Sequence, residues 1–303
     1  MSEPTDLAPF FARVPLLAGA DPAATRRLGG LTNINHLVDV GGERFVLRVP
    51  GFGTADYIDR AAEEVAARSA ASAGVNAEVV FFDAADGLMV TRYLEATTTM
   101  DPARFRDLAA VSRAGHALRR LHGTAAPFAT DFRPFELIDE YKVLLAARGA
   151  ALPDAYEDTE REAGAMRAAL ARNPVALVPS HCDPLCENFL DTSTQMFLID
   201  YEYAGNNDPM WDLGDLSVEG GFTDEQDAAL LCAYVGGEPS EVQASRMVIA
   251  KALCDLLWTL WGVIQHVDHN PVDDFWAYAV NRFERCRRLM DSDWFATRLA
   301  ALG

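Results

Sequence analysis

The first 95 or so residues alternate short apolar runs with turns, and this alternation predicts two β-hairpins. The first hairpin joins 36–40 to 44–49 through a Gly-Gly turn. The second joins 79–82 to 88–93. Both have the length and β-branched or aromatic content of ordinary strands. The pattern therefore predicts a small, strand-rich N-terminal region.

Helical patterns account for most of the remaining chain. Residues 59–73 have helical composition and are followed by Gly74, a residue typical of helix C-termini. From Asp101 onward the pattern is mostly helical: 141–170 is rich in Ala, Leu, Arg and Glu, and helical spacing relates Leu108, Val111, Leu118 and Leu121. We predict an α+β chain with a small mixed lobe at 1–95 and a larger, mainly helical lobe at 96–303.

One further hairpin is predicted inside the helical region. The apolar runs 188–190 and 197–199 are separated by the polar segment 191–195. If the turn is centred on Thr194, antiparallel pairing sets Asn188 across from Asp200. Two oxygen ligands would then meet at one end of the ribbon, with Asp183 in the loop that leads into it.

This set of side chains has the chemistry that phosphoryl transfer requires. The transition state carries spread negative charge, so one carboxylate must orient the attacking hydroxyl while others hold cations. Oxygen-only ligands suit Mg²⁺ that carries nucleotide phosphates. A competing interpretation makes His181, Cys182 and Cys186 a zinc site, but their spacing is not that of a zinc motif.

Composition narrows the class of protein. The chain has 303 residues, half of them hydrophobic, which is enough for one or two substantial cores. Its net charge of −19 opposes binding to nucleic acid or anionic membrane and would favour a cationic small substrate, although acidic surfaces also serve solubility alone. We expect no signal peptide, because the N-terminus carries Glu3 and Asp6 without a basic, long apolar segment. We expect no membrane insertion, because the most apolar helical stretch, near 253–264, contains Asp255. Five cysteines without disulfide-like spacing fit reduced thiols and a cytoplasmic protein.

The motif His181-Cys182-Asp183-Pro184-Leu185-Cys186-Glu187-Asn188, followed by Asp200-Tyr201-Glu202-Tyr203-Ala204, resembles the catalytic segment of the choline/ethanolamine kinase family. That family lies within the larger aminoglycoside phosphotransferase group, which has the protein-kinase-like two-lobe fold. The resemblance implies that Asp183 is the catalytic base and that Asn188 and Asp200 are Mg²⁺ ligands. It also implies that Glu202 supports the metal site and that His181 is structural.

The same resemblance implies an ATP site. Val46-Leu47-Arg48-Val49-Pro50-Gly51 is similar to the family's V-L-R-x-P-G strand end, which makes Arg48 the cation against the nucleotide phosphates. A glutamate of the 59–73 helix would pair with that cation; we choose Glu64, with Glu63 as a close competitor.

Two further segments are assigned to the nucleotide. Thr32 and Asn33 lie in a glycine-containing loop that can cover phosphates, although a plain hairpin turn is the commoner explanation. Met89, Thr91 and Tyr93 lie where the family's strand and hinge contact adenine. Met89 and Tyr93 could equally be core.

Four residues are assigned to the substrate. Trp258-x-x-Trp261-x-x-x-Gln265 and Tyr278-Ala279-x-x-Arg282-Phe283 resemble the family's choline-pocket segments, and aromatic faces suit a quaternary ammonium. Glu219, in a segment similar to F-D-[IL]-[AG]-N-x-x-x-E, would be the ammonium partner. In that segment Asp215 replaces the usual asparagine, and beyond it the chain supplies only Phe222 where further aromatics are common.

The leading hypothesis is therefore an ATP- and Mg²⁺-dependent kinase for a small cationic alcohol, most simply choline, with ethanolamine or a related amino alcohol left open. An aminoglycoside or other cationic O-phosphotransferase is the enzymatic alternative. A non-catalytic ligand-binding protein of the same fold is the second alternative.

Overall fold

The computed structural model describes residues 6–29, 33–51 and 58–303. The elements of its N-terminal region are α1 (Ala8–Arg13), β1 (Arg26–Arg27), β2 (Ile34–Val40), β3 (Glu43–Val49), α2 (Arg60–Ser72), β4 (Val79–Asp83) and β5 (Leu88–Arg92). The strands form one antiparallel sheet in the order β1-β2-β3-β5-β4. Both predicted hairpins and the predicted helix are confirmed.

Local sequence explains where these elements begin and end. Gly41 and Gly42 connect β2 to β3 with φ angles of +63° and +89°, which residues other than glycine adopt only with strain. The side chain of Asp59 caps α2 by accepting from the backbone N–H groups of Ala61 and Ala62, each at 3.0 Å. The helix is followed by Gly74 at φ +73°.

The two faces of the sheet have different roles. One face is apolar and packs on the N-terminal segment; its buried cluster comprises Leu7, Phe11, Val14, Leu17, Val38, Phe45, Leu47, Val49, Leu88 and Val90. Because side chains alternate along a strand, Arg48 and Met89 lie on the opposite face, towards α2. Met89 packs in a cluster with Ala66 and Ala70 of that helix.

The C-terminal region is mainly helical. Its elements are β6 (Thr98–Thr99), α3 (Leu108–Thr124), α4 (Pro134–Ala147), α5 (Tyr156–Glu162), α6 (Gly164–Arg172), β7 (Val178–Ser180), β8 (Phe189–Asp191), β9 (Met196–Leu198), β10 (Gly205–Asn207), α7 (Met210–Gly220), α8 (Asp224–Val235), α9 (Glu241–Val267), α10 (Phe275–Met290) and α11 (Asp293–Ala300). The α+β class is confirmed; the exact boundary at residue 95 stays a prediction.

Helix α9 is the central element of this region and packs against α4, α7, α10 and α11. Among the described residues it is the one helix long and apolar enough to span a membrane, but 89% of its most apolar window is buried inside the protein. Its apolar composition is therefore accounted for by the core. The charged Asp255 within it is paired with Arg282 and Arg285.

Two small sheets frame the loops between β7 and β10. Strand β7 pairs with β10, and β8 lies between β6 and β9. The β8–β9 hairpin also contacts the end of α2: the Gln195 side chain donates to the carbonyl of Gly74 at 2.8 Å, and the Leu198 N–H donates to that of Val75 at 2.7 Å. The hairpin is thus hydrogen-bonded to the N-terminal region.

Candidate active site

The loop that follows β7 carries Asp183, and one buried carboxylate holds its backbone. Asp212 accepts hydrogen bonds from the N–H groups of His181 at 2.7 Å and Cys182 at 2.8 Å, and it lies 2.9 Å from Nε2 of His122. Burial alone would raise the pKa of Asp212, but the hydrogen bond and charge of His122 outweigh it and hold that pKa below its usual value. The loop is therefore fixed by an ionised side chain.

Asp183 lies at the end of this fixed loop. Its carbonyl accepts from the Leu185 N–H at 2.8 Å and from the side-chain amide of Asn188 at 3.1 Å, which sets the direction of that amide. Burial raises the pKa of the Asp183 carboxyl well above its ordinary value, and the negative charges of Asp215 and Glu219 raise it further. The carboxyl group is thus a stronger proton acceptor than a solvated aspartate.

The hairpin register differs from the prediction by one residue. Phe189 pairs with Leu198, and the Ile199 N–H donates to the carbonyl of Asn188 at 3.0 Å, so Ile199 rather than Asp200 lies opposite Asn188. Asp200 is the next residue along and has a φ of +70°. The left-handed backbone turns the chain at this point, and it cannot be read from the alternation of apolar residues.

Two carboxylates, Asp200 and Glu202, lie together below the sheet. The side-chain amide of Asn33 donates to Glu202 at 3.1 Å and reaches Asp200 at 3.5 Å. Arg48 lies 3.3 Å from Asp200, and Arg60 lies 3.4 Å from Glu202. The sequence did not single out Arg60, because an arginine at the start of a helix is usually a solvated charge.

Arg48 is buried, and its partner is Glu63 rather than Glu64. The guanidinium pairs with the Glu63 carboxylate and donates to the carbonyl of Gly87 at 3.1 Å. Glu64 instead pairs with Arg68 at 2.8 Å on the partly exposed side of α2. The choice of Glu64 was therefore wrong, because the phase of α2 against the sheet points the preceding residue at Arg48.

The charge balance of this cluster fits a divalent cation. Burial raises the pKa of Asp200, an effect that Arg48 opposes and Glu63 reinforces. Burial and the charge of Asp200 raise the pKa of Glu202 to about 7. Carboxylates that are crowded in this way are stabilised by an added positive charge, and oxygen donors of this kind are those that Mg²⁺ prefers. Asp200, Glu202 and Asn188 could hold such an ion.

The remaining predicted nucleotide residues are distributed as follows. Thr32 lies outside the described residues. Asn33 is buried and directed at the two carboxylates. Met89 is a core residue. The backbone N–H of Tyr93 donates to the carbonyl oxygen of Arg44 at 3.0 Å, and the Arg44 guanidinium lies 5.1 Å from the Tyr93 ring centre. Thr91, on β5, is half-buried. Their contacts with a nucleotide stay predictions.

The predicted substrate aromatics do converge. The ring centres of Trp258 and Trp261 are 6.4 Å apart, and that of Tyr278 lies 5.7 Å from Trp261. Gly262 permits this approach, because a Cβ at that position would lie 2.7 Å from the Tyr278 ring. Two residues that the sequence reasoning missed complete the cluster: Tyr203 accepts from the Trp261 indole at 3.0 Å, and Phe275 stacks edge-on to Trp261 at 5.6 Å.

Glu219 is already ion-paired in this structure. Its carboxylate contacts the guanidinium of Arg282, whose central carbon also lies 4.7 Å from the ring centre of Tyr278. The sequence alone does not predict this pairing, because it does not show that α7 and α10 bring Arg282 to Glu219.

Two other sequence features do not contribute ligands. Phe222 is buried and packs edge-on to Phe105 at 5.4 Å, so it belongs to the core. Within the described part of the chain, the one cluster of three possible metal ligands among His, Cys, Asp and Glu is Asp215, Glu219 and Cys254. The alternative zinc site at His181, Cys182 and Cys186 is therefore not formed.

A groove of about 240 Å³ runs beside the site, between the start of α2 and residues 130–141. Glu63, Glu202 and Tyr203 line one wall of the groove. It thus borders the carboxylate cluster through Glu202 and the aromatic cluster through Tyr203.

The chain is similar to known proteins in both sequence and structure. A sequence model of the phosphotransferase enzyme family matches residues 23–245. A choline/ethanolamine kinase family protein from Mesorhizobium loti is 50% identical, with a TM-score of 0.88 and coverage of 96% of each chain.

Two further solved structures are similar. The choline kinase LicA from Streptococcus pneumoniae is 27% identical, with a TM-score of 0.77, over 96% of this chain and 97% of that one. A LicA structure in complex with AMP is 28% identical, with a TM-score of 0.68, over 92% of each chain. These likenesses confirm the protein-kinase-like two-lobe fold.

Proposed function

The chain belongs to the phosphotransferase enzyme family and, within it, to the choline/ethanolamine kinase family, and from this premise we propose that it transfers the γ-phosphate of ATP to the hydroxyl group of choline. Membership makes it an ATP-dependent small-molecule kinase. The choice of choline among alcohols is the part that is proposed.

One observation carries the choice of a cationic alcohol: the aromatic cluster of α9 and α10 lies beside carboxyl groups that also act on Asp183. Glu219 pairs with Arg282, whose guanidinium lies 4.7 Å from the Tyr278 ring centre, and the negative charges of Asp215 and Glu219 add to burial in raising the pKa of Asp183. Aromatic faces attract a quaternary ammonium, which has no hydrogen-bond donors to satisfy. Choline carries such a group two carbons from its hydroxyl.

In this proposal Asp183 orients the substrate hydroxyl and accepts its proton. The alcohol oxygen forms the new bond to the γ-phosphorus while the bond from that phosphorus to the β–γ bridging oxygen breaks, giving phosphocholine and ADP. The raised pKa of Asp183 favours proton acceptance, and the rigid loop held by Asp212 fixes the angle of attack.

Asp200, Glu202 and Asn188 would hold Mg²⁺, which supplies neutralisation of phosphate charge when it is bound. Arg48, held in place by Glu63, adds a fixed positive charge on the same side. The aromatic side chains exclude water from the ammonium group, and Glu219 balances its charge.

The proposal is tested by a coupled assay of ADP release with ATP, Mg²⁺ and a panel of choline, ethanolamine, N,N-dimethylethanolamine and an aminoglycoside. We expect the highest kcat/KM with choline. D183A should show no turnover while it still binds nucleotide, as measured by calorimetry. A preference for the aminoglycoside would replace the proposed substrate, and absence of ADP release with every alcohol would refute the kinase assignment to amino alcohols.

We also propose that the protein works in the cytoplasm, where ATP and Mg²⁺ are available, and that its product can enter phospholipid synthesis. The five free cysteines, four of them buried, are compatible with a reducing compartment.

A further inference from the structure

Asp215, on α7, has a fully buried carboxyl group that lies beside Trp258 in the candidate substrate region. Its relative exposure is 0%, so it does not touch a ligand directly. One oxygen accepts from the Cys254 thiol at 2.8 Å, and the other lies 3.5 Å from the indole N–H of Trp258. Both of these donors are neutral.

The surrounding charges do not balance when Asp215 is ionised. Its oxygen lies within 4.8 Å of a Glu219 oxygen. The guanidinium of Arg282 pairs with both Glu219 and Asp255, and Arg285 pairs with Asp255 at 2.5 Å. Three carboxyl groups therefore share two guanidinium groups, which leaves one negative charge over.

We propose that Asp215 is a specificity-determining residue: a buried counter-charge behind Trp258 and Glu219 that makes the pocket favour a cationic head group over a neutral one of the same shape. This inference rests on the proposed function, because it concerns the head group of the alcohol that is phosphorylated. It assigns to Asp215 an electrostatic role in addition to that of holding the Trp258 ring.

A cation bound nearby can compensate the excess negative charge in this low-dielectric region. Burial raises the pKa of Asp215 well above its ordinary value, and the neighbouring charge of Glu219 raises it further. A carboxyl group in that state is stabilised in its ionised form by any cation that enters nearby. A quaternary ammonium against Trp258 and Trp261 provides that charge, whereas an uncharged group leaves the excess uncompensated.

The surrounding ionisable groups do not supply the missing charge. The ionisable groups that interact electrostatically with Asp215 are Asp212 and Glu219 on its own helix, Cys254 on α9, Arg282 on α10, and Cys182 and Asp183 on the catalytic loop. Arg282 is the one cation of this set, and it is committed to Glu219 and Asp255. Without a ligand, a proton on one of the carboxyl groups removes the imbalance, as the raised pKa of Asp215 implies; a bound cation can take the place of that proton.

The test compares choline with 3,3-dimethylbutan-1-ol, in which carbon replaces the ammonium nitrogen and the shape is retained. The ratio of kcat/KM for choline to that for the neutral alcohol is measured in the wild type and in D215N, which preserves side-chain shape and removes the charge. We expect D215N to lower this ratio by about tenfold or more. The matched control D227N removes a carboxylate on α8 that is paired with Lys251 at 2.6 Å, so it should keep the wild-type ratio.

The two readouts separate the possible roles of Asp215. If D215N lowers kcat/KM for both alcohols by the same factor, Asp215 only positions Trp258, and the inference is overturned. Circular dichroism checks folding, and D215S replaces D215N if the latter does not fold. If the wild type phosphorylates neither alcohol, the proposed function fails and this inference with it. If the wild type prefers choline and D215N keeps that preference, this inference alone fails.

Discussion

The guanidinium of Arg48 pairs with the carboxylate of Glu63 and lies 3.3 Å from Asp200, so a single side chain joins α2 to the end of the catalytic hairpin. Arg48 and Glu63 are 4% and 2% exposed, respectively, so neither side chain can replace its partner with water. The orientation of α2 and the position of the candidate metal ligands are consequently linked.

Loss of the Glu63 side chain should therefore reduce the free energy of unfolding much more than loss of the Glu64 side chain. We expect E63A to reduce the free energy of unfolding by about 3 kcal/mol, because it leaves a buried arginine uncompensated, and to raise the KM for ATP. E64A removes only a partly exposed pair with Arg68 and should cost less than about 1 kcal/mol. Urea denaturation of both variants measures the difference; equal costs would contradict the assigned pairing.

The carboxylate cluster should make the metal-free protein less stable as the pH rises. Glu202 has a pKa of about 7 in the folded chain, against an ordinary value of 4.5. Between these values the folded protein binds a proton that the unfolded chain does not, so stability is lost as the pH increases from about 5 to 7. The expected loss is about 2 to 3 kcal/mol, measured by urea denaturation with EDTA present.

The same experiment has two controls. E202Q carries no titrating group at this position and should flatten the profile. Mg²⁺ should restore stability above pH 7, where the carboxylate is ionised, and have little effect near pH 5. A wild-type profile that rises over this range in EDTA would contradict the assigned burial of the charge.

The aromatic cluster should govern substrate affinity more than turnover. W261A removes a ring that contacts Trp258, Phe275 and Tyr278, and we expect the KM for choline to rise about tenfold with kcat changed less than about threefold. W294A, which removes an exposed tryptophan on α11, should leave both constants unchanged. Steady-state kinetics distinguish them. An unchanged KM in W261A would place the substrate elsewhere.

Asp212 should govern turnover through the loop that it holds. D212A removes the acceptor of two backbone N–H groups and the partner of His122, so the loop that carries Asp183 loses its support. We expect kcat to fall about 100-fold, because misplaced catalytic groups lose their orientation. D224N, which removes an exposed carboxylate in the first turn of α8, keeps the catalytic loop contacts intact and is the control. A D212A enzyme with normal kcat would show that the loop is held by other contacts.

Local pattern predicted most of the elements, whereas the roles of the candidate residues came from the resemblance to the choline/ethanolamine kinase family. Apolar alternation predicted the hairpins, and helical composition with Gly74 predicted α2. Three details were not predicted. The phase of α2 selected Glu63, the four-residue turn at 192–195 set the hairpin register, and the docking of α10 brought Arg282 to Glu219. None of these is encoded in the spacing of residues along one element.

The hydrogen bonds from Gln195 and Leu198 to the end of α2 have a mechanical consequence. They attach the chain just after α2 to the catalytic hairpin at one point. Glu63 lies eleven residues from Gly74, or about 16 Å along a helix. A tilt of α2 by about 10° about that attachment would displace Glu63 by about 3 Å, so a change at the hairpin that reorients the helix alters the position of the carboxylate that holds Arg48.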